Sequence, residues 1–264
     1  MIFEFTKAKD GVNIRVARLE PVDDIIGIVQ IVHGFGEGIE HYQEVTEFFV
    51  KHGYACVIHD QRGCGKLHKG KGVTTAYNCL LSDITPIRDK INEWYPSKTV
   101  FLYGFSFGGN IAINHLLKYG ELNYAKAIIE SPWFDICKPL PKYKSIPVRV
   151  FGFLNSKITA STGPYTNSDI EDGKYQNRIS FRLLTKMGDS GRYAIKNAAK
   201  ISLPMLLMCT HEDNVVSLTR IRKFLDNAND NVKFVEYSEG SHRLHCNLTA
   251  DKVLNEILAY IDEE

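Results

Sequence analysis

The sequence predicts an α/β fold on a mostly parallel sheet, and three observations carry that expectation. Strand-like apolar runs alternate with helical patterns along most of the chain. Two of the runs, Ile25 to Val32 and Tyr54 to Ile58, are almost continuously apolar, as strands covered on both faces require. A third, Val100 to Tyr103, passes into Gly104-Phe105-Ser106-Phe107-Gly108-Gly109 and then a helical pattern through Ile111, Ala112, Leu116 and Leu117, with Gly120 as its stop. Strand, sharp turn with serine at the apex, helix: this is the setting of a nucleophile elbow. Small residues at Gly104 and Gly108 let strand and helix approach, and the helix N-terminus aims unpaired N–H groups at the turn. A Gly-x-Ser-x-Gly alone is also what a glycine-rich turn looks like, so the remaining elements decide.

Residues 2–7 and 12–19 alternate apolar and polar around Asp10-Gly11 and read as an antiparallel hairpin. The strand ending at Val32 is followed by His33-Gly34-Phe35-Gly36-Glu37 and a helix through Val45, Phe48 and Phe49, stopped by Gly53. Tyr54 to Ile58 leads into His59-Asp60-Gln61-Arg62-Gly63-Cys64-Gly65, then a Gly- and Lys-rich loop, then a helix expected to start near Ser82 or Asp83. After the elbow helix comes a short strand, Ala125 to Glu130. Residues 131–200 break the alternation, with helix-like pieces at Val148–Leu154 and Ile179–Met187 around a polar stretch. It resumes at Met205–Cys209, a helix over Leu218–Leu225, a strand at Val232–Tyr237 and a closing helix through Val253, Leu254, Ile257, Leu258 and Ile261. The expected organisation is a core of 1–130 and 201–264 with 131–200 inserted as a cap over the carboxyl edge of the sheet.

Composition narrows the partners. A formal net charge of +1 argues against a nucleic-acid partner held by electrostatics. No apolar run approaches a membrane span, and Met1-Ile2-Phe3-Glu4-Phe5 starts like a strand and not like a secretory signal. The six cysteines show no Cys-x-x-Cys, and several lie in strands as buried thiols would, so a reducing, cytoplasmic setting without disulfides is expected.

A serine hydroxyl needs a base to become a nucleophile, and the base needs an orienting carboxylate. Downstream of Ser106, the loop Thr210-His211-Glu212-Asp213-Asn214 and the loop Ser238-Glu239-Gly240-Ser241-His242 each leave a strand. Consecutive parallel strands would deliver Asp213 and His242 to the edge that carries Ser106. His245 competes with His242, which the Gly240-Ser241 turn favours; Glu212 and Asp135 compete with Asp213. For the oxyanion, the backbone N–H of Phe107 and that of Phe35 are the candidates. His242, His245 and Cys246 lack a second ligand group at zinc-type spacing, so no metal or other cofactor is expected.

Together these stretches resemble the α/β-hydrolase superfamily, within it the bacterial lysophospholipase and monoacylglycerol-lipase group, which is serine aminopeptidase S33-like. His33-Gly34-Phe35-Gly36-Glu37 with Tyr42 is similar to that group's oxyanion loop. Asp60-Gln61-Arg62-Gly63-Cys64-Gly65 resembles its Asp-x-Arg-Gly-His-Gly turn, and Gly104 to Gly109 its elbow. Asp213 and Gly240-Ser241-His242 fall where its acid and histidine fall, and Asn177-Arg178-Ile179-Ser180 is a weaker match. The sequence departs at Gly38 (usually His), His41 (usually Arg), Phe105 (usually His), Cys64 (usually His) and near Leu67 (usually Ser).

The resemblance implies an eight-stranded, mostly parallel sheet flanked by helices with a helical cap, and a serine enzyme that cleaves esters of monoacyl lipids through an acyl-enzyme. Phe105, Phe151, Phe153 and Leu154 are the candidate substrate-binding residues. The run Val148–Leu154 is apolar enough to line an acyl channel or touch a membrane surface, packing onto the body being the plainer reading. The alternatives are a small-ester or aryl-ester hydrolase and an aminopeptidase, for which Asp169, Glu171 and Asp172 would hold the substrate amine. A non-catalytic binding protein of the same fold would normally lack one of Ser, Asp or His.

Overall fold

A computed structural model describes residues 1–66, 75–137, 155, 158–161, 177–246 and 249–263. Ile2–Lys7 (β1) and Asn13–Leu19 (β2) form the expected hairpin. There follow Gly27–Val32 (β3), Gln43–Lys51 (α1), Tyr54–His59 (β4), Tyr77–Trp94 (α2), Val100–Phe105 (β5), Phe107–Tyr119 (α3) and Lys126–Glu130 (β6). Thr159–Ser161 (β7) pairs with Arg178–Ser180 (β8) in a separate two-stranded sheet, and Phe181–Lys196 (α4) follows directly. Met205–Thr210 (β9), Leu218–Asn227 (α5), Val232–Tyr237 (β10) and Ala250–Asp262 (α6) complete the chain.

The main sheet has eight strands in the order β1-β2-β4-β3-β5-β6-β9-β10. Only the pairings β1–β2 and β2–β4 are antiparallel. All others are parallel, which is the predicted mostly parallel sheet. Strands β3, β4, β5 and β9 are buried along their whole length, which is why they read as unbroken apolar runs. One face packs Ile84 and Ile87 of α2, Ile111 of α3, Leu183 of α4 and Phe224 of α5 into a single core; the other packs Val45 and Phe49 of α1 and Val253 and Ile257 of α6. Strand order reverses at β3, which lies between β4 and β5. The loops leaving β3 and β5 therefore part to opposite faces and open a crevice at the carboxyl edge.

Two element boundaries differ from expectation. Helix α2 begins at Tyr77, ahead of Ser82 and Asp83, because Tyr77, Leu80 and Leu81 bury their side chains in the core. Ser82 and Asp83 look like capping residues in the sequence, but the Ser82 hydroxyl donates to the Cys79 carbonyl and Asp83 holds Arg62 at 2.6 Å. Ile179 lies in β8, and the helix starts after Ser180, whose hydroxyl accepts the Leu183 N–H at 3.2 Å. The helix-like run Val148–Leu154 lies outside the described residues. Among the described residues, no helix is long and apolar enough to cross a membrane.

Candidate active site

The elbow is built by backbone constraint. Ser106 takes φ 52°, ψ −117°, a conformation few side-chain-bearing residues adopt. Its N–H donates to the Glu130 carbonyl at 2.8 Å and its carbonyl accepts from Trp133 at 2.9 Å, so the turn is fixed on both sides. A Cβ at Gly108 would lie 2.0 Å from the Val32 carbonyl oxygen, and one at Gly104 would lie 2.8 Å from the Gly108 carbonyl. Only glycine allows β5, α3 and the loop after β3 to approach this closely. Phe107 is the first residue of α3, so its N–H has no carbonyl four residues back and stays available at the turn.

Strands β9 and β10 bring the acid and the histidine to the same edge. His242 Nε2 lies 2.8 Å from Ser106 Oγ, and His242 Nδ1 lies 2.7 Å from Asp213 Oδ2. A carboxylate on Nδ1 keeps the proton there, which leaves Nε2 to accept from the serine hydroxyl. The other Asp213 oxygen accepts the N–H groups of Val215 and Val216 at 2.8 and 2.9 Å, so the carboxylate cannot rotate away. The competing groups lie elsewhere. Glu212 is exposed, Asp135 turns to its own loop and Arg220, and His245 is buried against Glu130.

The loop after β3 is held from three sides. His33 Nε2 accepts the Gln61 N–H at 2.9 Å while its Nδ1–H donates to the Gly34 carbonyl at 2.7 Å. Asp60 accepts the Ile39 N–H at 2.9 Å. Glu37, fully buried, accepts the Gly34 N–H at 2.8 Å and the Tyr42 hydroxyl at 2.8 Å, and it pairs with Arg243 at 2.7 Å. Burial pushes the Glu37 carboxyl up, but Arg243 and the nearby histidines outweigh it and hold the group below the usual carboxylate range. Phe35 sits in this loop with its ring edge-on to Phe107 at 6.2 Å.

Ser106 and His242 open on a cavity of about 800 Å³. Phe35, Phe105, Trp133, Ile136, Val215 and, from β8 and α4, Ile179, Leu184 and Met187 give it an apolar lining. Glu37, Asn214, Ser241 and Arg243 supply the polar side. Of the sequence-predicted substrate-binding residues, Phe105 lines the cavity; Phe151, Phe153 and Leu154 lie outside the described residues. The sequence reading missed Trp133, Ile136, Leu184, Met187 and Arg243. Leu184 and Met187 were detectable as an i, i+3 pair on one helix face, whereas nothing local marks Trp133 or Arg243.

Residues 23–248 match the family described as serine aminopeptidase, S33. The chain belongs to this family. It is 26% identical over 253 residues to an abhydrolase domain-containing protein of Dictyostelium discoideum, a match that covers 90% of this chain and spans only 26% of that protein's length. It is 24% identical over 262 residues to a monoglyceride lipase of Saccharomyces cerevisiae, covering 89% of this chain and 83% of the relative. Among solved structures, the monoacylglycerol lipase of Paleococcus ferrophilus superposes with a TM-score of 0.81 at 21% identity, over 95% of this chain and 98% of that one.

Three of the positions at which the chain departs from the family pattern have definite surroundings here, and Leu67 lies outside the described residues. Where the resembling group usually has arginine this chain has His41, and Glu37 is paired with Arg243, one residue after His242. Cys64 is buried, and burial raises its thiol to about 12, so it acts as a small neutral filler. Phe105 packs its ring between His242 and His245, at 5.0 and 4.8 Å.

Proposed function

We propose that this chain is a serine hydrolase that cleaves the carboxylic esters of monoacyl lipids, of the monoacylglycerol or lysophospholipid type, through an acyl-enzyme on Ser106. Ser106 Oγ attacks the ester carbonyl and its proton passes to His242 Nε2. The N–H groups of Phe35 and Phe107 receive the oxyanion of the tetrahedral intermediate. His242 then returns the proton to the departing alcohol, and a water activated by the same imidazole releases the fatty acid. Asp213 holds the imidazole in one tautomer throughout. Residues 131–200 act as a cap whose β8 and α4 form the acyl wall. No metal takes part, so exhaustive chelation leaves the rate unchanged.

The observation that supports this reading is a hydrogen-bonded Ser106–His242–Asp213 chain facing a cavity with an apolar and a polar side. An acyl chain laid against Trp133, Leu184 and Met187 gains about 0.8 kcal/mol for each methylene buried, or roughly fourfold in kcat/KM per carbon. The names of the yeast and Paleococcus relatives point the same way. The family's aminopeptidase description suggests a second reading, in which a carboxylate holds a substrate amine. Asp169, Glu171 and Asp172, the acids the sequence offers for it, lie outside the described residues. Glu37 is the acid among the described lining residues, and Arg243, Tyr42 and the Gly34 N–H already occupy it. That engagement favours the ester.

The test is kcat/KM along p-nitrophenyl esters from C2 to C16, repeated with monoacylglycerols. A rise through medium chains is expected, with diacyl and triacyl lipids as poor substrates. A maximum at C2 with steady decline would overturn the lipid reading in favour of a small-ester hydrolase.

A further inference from the structure

A second carboxylate–histidine pair lies sealed beneath the first. Glu130, the last residue of β6, is 0% exposed, and its carboxylate meets His245 Nδ1 at 2.9 Å. The same carboxylate accepts the Leu244 N–H at 2.8 Å, the His245 N–H at 3.3 Å and the Tyr103 hydroxyl. All but the Tyr103 bond are made to the loop that begins at His242. Through its backbone carbonyl, Glu130 also accepts the Ser106 N–H at 2.8 Å. One residue therefore touches the strained turn under the nucleophile and the loop that carries its base.

A buried ion pair is a poor way to gain stability, because well-packed apolar side chains in its place are often at least as stable. What the pair does give is direction: three loop donors converging on one carboxylate leave the loop a single arrangement. We propose that Glu130 is a positioning residue, its carbonyl fixing the Ser106 turn and its carboxylate fixing the His242 loop, so that it sets the distance from nucleophile to base. This inference rests on the hydrolase reading above and names a residue that the reading does not use.

The charge state of the pair gives a readout that a purely structural role would not move. Burial presses the His245 imidazole toward its neutral form, but Glu130, with a hydrogen bond donated by the ring to the Cys246 sulfur, outweighs it and raises His245 to about 10. The other groups facing His245 are Tyr103 and Phe105 from β5, Tyr42 stacked at 5.3 Å, and Glu37, which reaches it through Tyr42. Removing the Glu130 charge takes away the largest opposition to burial, so the imidazole loses its proton at lower pH.

The experiment compares wild type, Glu130→Gln, His245→Gln and the double variant by steady-state kinetics on a p-nitrophenyl ester, with thermal melting to confirm the fold. A misplacement of the order of 1 Å at a reacting pair can cost about 100-fold, so kcat is expected to fall about 10- to 100-fold in each single variant with KM within about threefold. The double variant should lose no more than the worse single one, since the two residues act as a unit. In Glu130→Gln the alkaline limb of kcat/KM should move to lower pH. Should Glu130→Gln not accumulate as folded protein, His245→Gln and Tyr103→Phe carry the same comparison. A folded variant within twofold of wild type with a superimposable pH profile, or losses that multiply in the double variant, would overturn the inference. Ser106→Ala separates the two claims. If it retains turnover the hydrolase reading itself fails, whereas if it is inactive and the Glu130 variants are normal only the positioning role is lost.

Discussion

His242 and His245 stand three residues apart on one loop, each against a carboxylate, at 2.7 and 2.9 Å. The His242 side chain keeps 14% of its surface and its far nitrogen meets a serine hydroxyl beside a cavity. The His245 side chain keeps 2%, and it is enclosed by the rings of Tyr42, Tyr103 and Phe105. A histidine that carries its proton up to about 10 has no free nitrogen to take one from a hydroxyl near neutrality. The residue types match, yet one pair leaves a ring nitrogen on a serine hydroxyl at a cavity and the other is closed off among aromatic rings. What separates them is the group at the second ring nitrogen and the access of substrate.

The comparison is broken most directly at the reacting atoms. Ser106→Ala and His242→Ala should each leave a folded protein with ester turnover lowered roughly ten-thousandfold or more. His245→Ala should lose far less; if it proves the more damaging of the two histidine changes with the fold intact, the roles are reversed. Asp213→Asn keeps the size of the side chain but can present an amide to Nδ1, so a loss of about a thousandfold or more is expected at neutral pH. Further from the chemistry, Leu184→Ala should lower kcat/KM about tenfold for a long acyl chain and leave an acetyl ester near wild type, as an ester series would show.

The smallest effect is on stability, and it isolates His245. Its folded value of about 10 lies above the ordinary imidazole value of roughly 6.5. The stabilisation is therefore complete below about 6.5 and is lost as pH climbs toward 10, at up to about 1.4 kcal/mol per pH unit. His59 and His115 act in the opposite sense. Burial lowers them to about 3 and about 4, so stability falls as pH drops below about 6.5. The melting temperature should peak near neutrality, and His245→Gln should flatten the decline of about 2–4 °C between pH 7.5 and 8.5. An unchanged slope in that window would mean that the buried pair is not charged.

How much of this was legible in the sequence follows from where the forces act. The strands of the parallel sheet announce themselves because both faces must be apolar, and β3, β4, β5 and β9 fall within one or two residues of the runs that predict them. Ser106, Asp213 and His242 were readable because each follows a strand at the same edge. The start of α2 was not, because Asp83 is recruited by Arg62 from a distant turn and so cannot serve as the cap it resembles. Glu130 was visible only as the end of a strand. That its carboxylate faces inward depends on His245, Leu244 and Tyr103 arriving from other elements. The same holds for Arg243, whose partner Glu37 lies across the crevice. Local pattern reports a residue's own element; it does not report which neighbour the fold will bring.

Strands β6 and β9 lie side by side, with Ala127 opposite Met205, although residues 131–204 separate them in the chain. The entropy lost in closing such a loop grows only with the logarithm of its length, and each doubling adds about 0.6 kcal/mol. The closure of β6 against β9 is thus nearly indifferent to how long the intervening segment is. That segment supplies Ile179, Leu184 and Met187 to the cavity and none of the three residues of the relay. Length can therefore change between β6 and β9 at little entropic cost, while the contacts of Trp133 with Ser106 and of Leu183 with the core have to be kept.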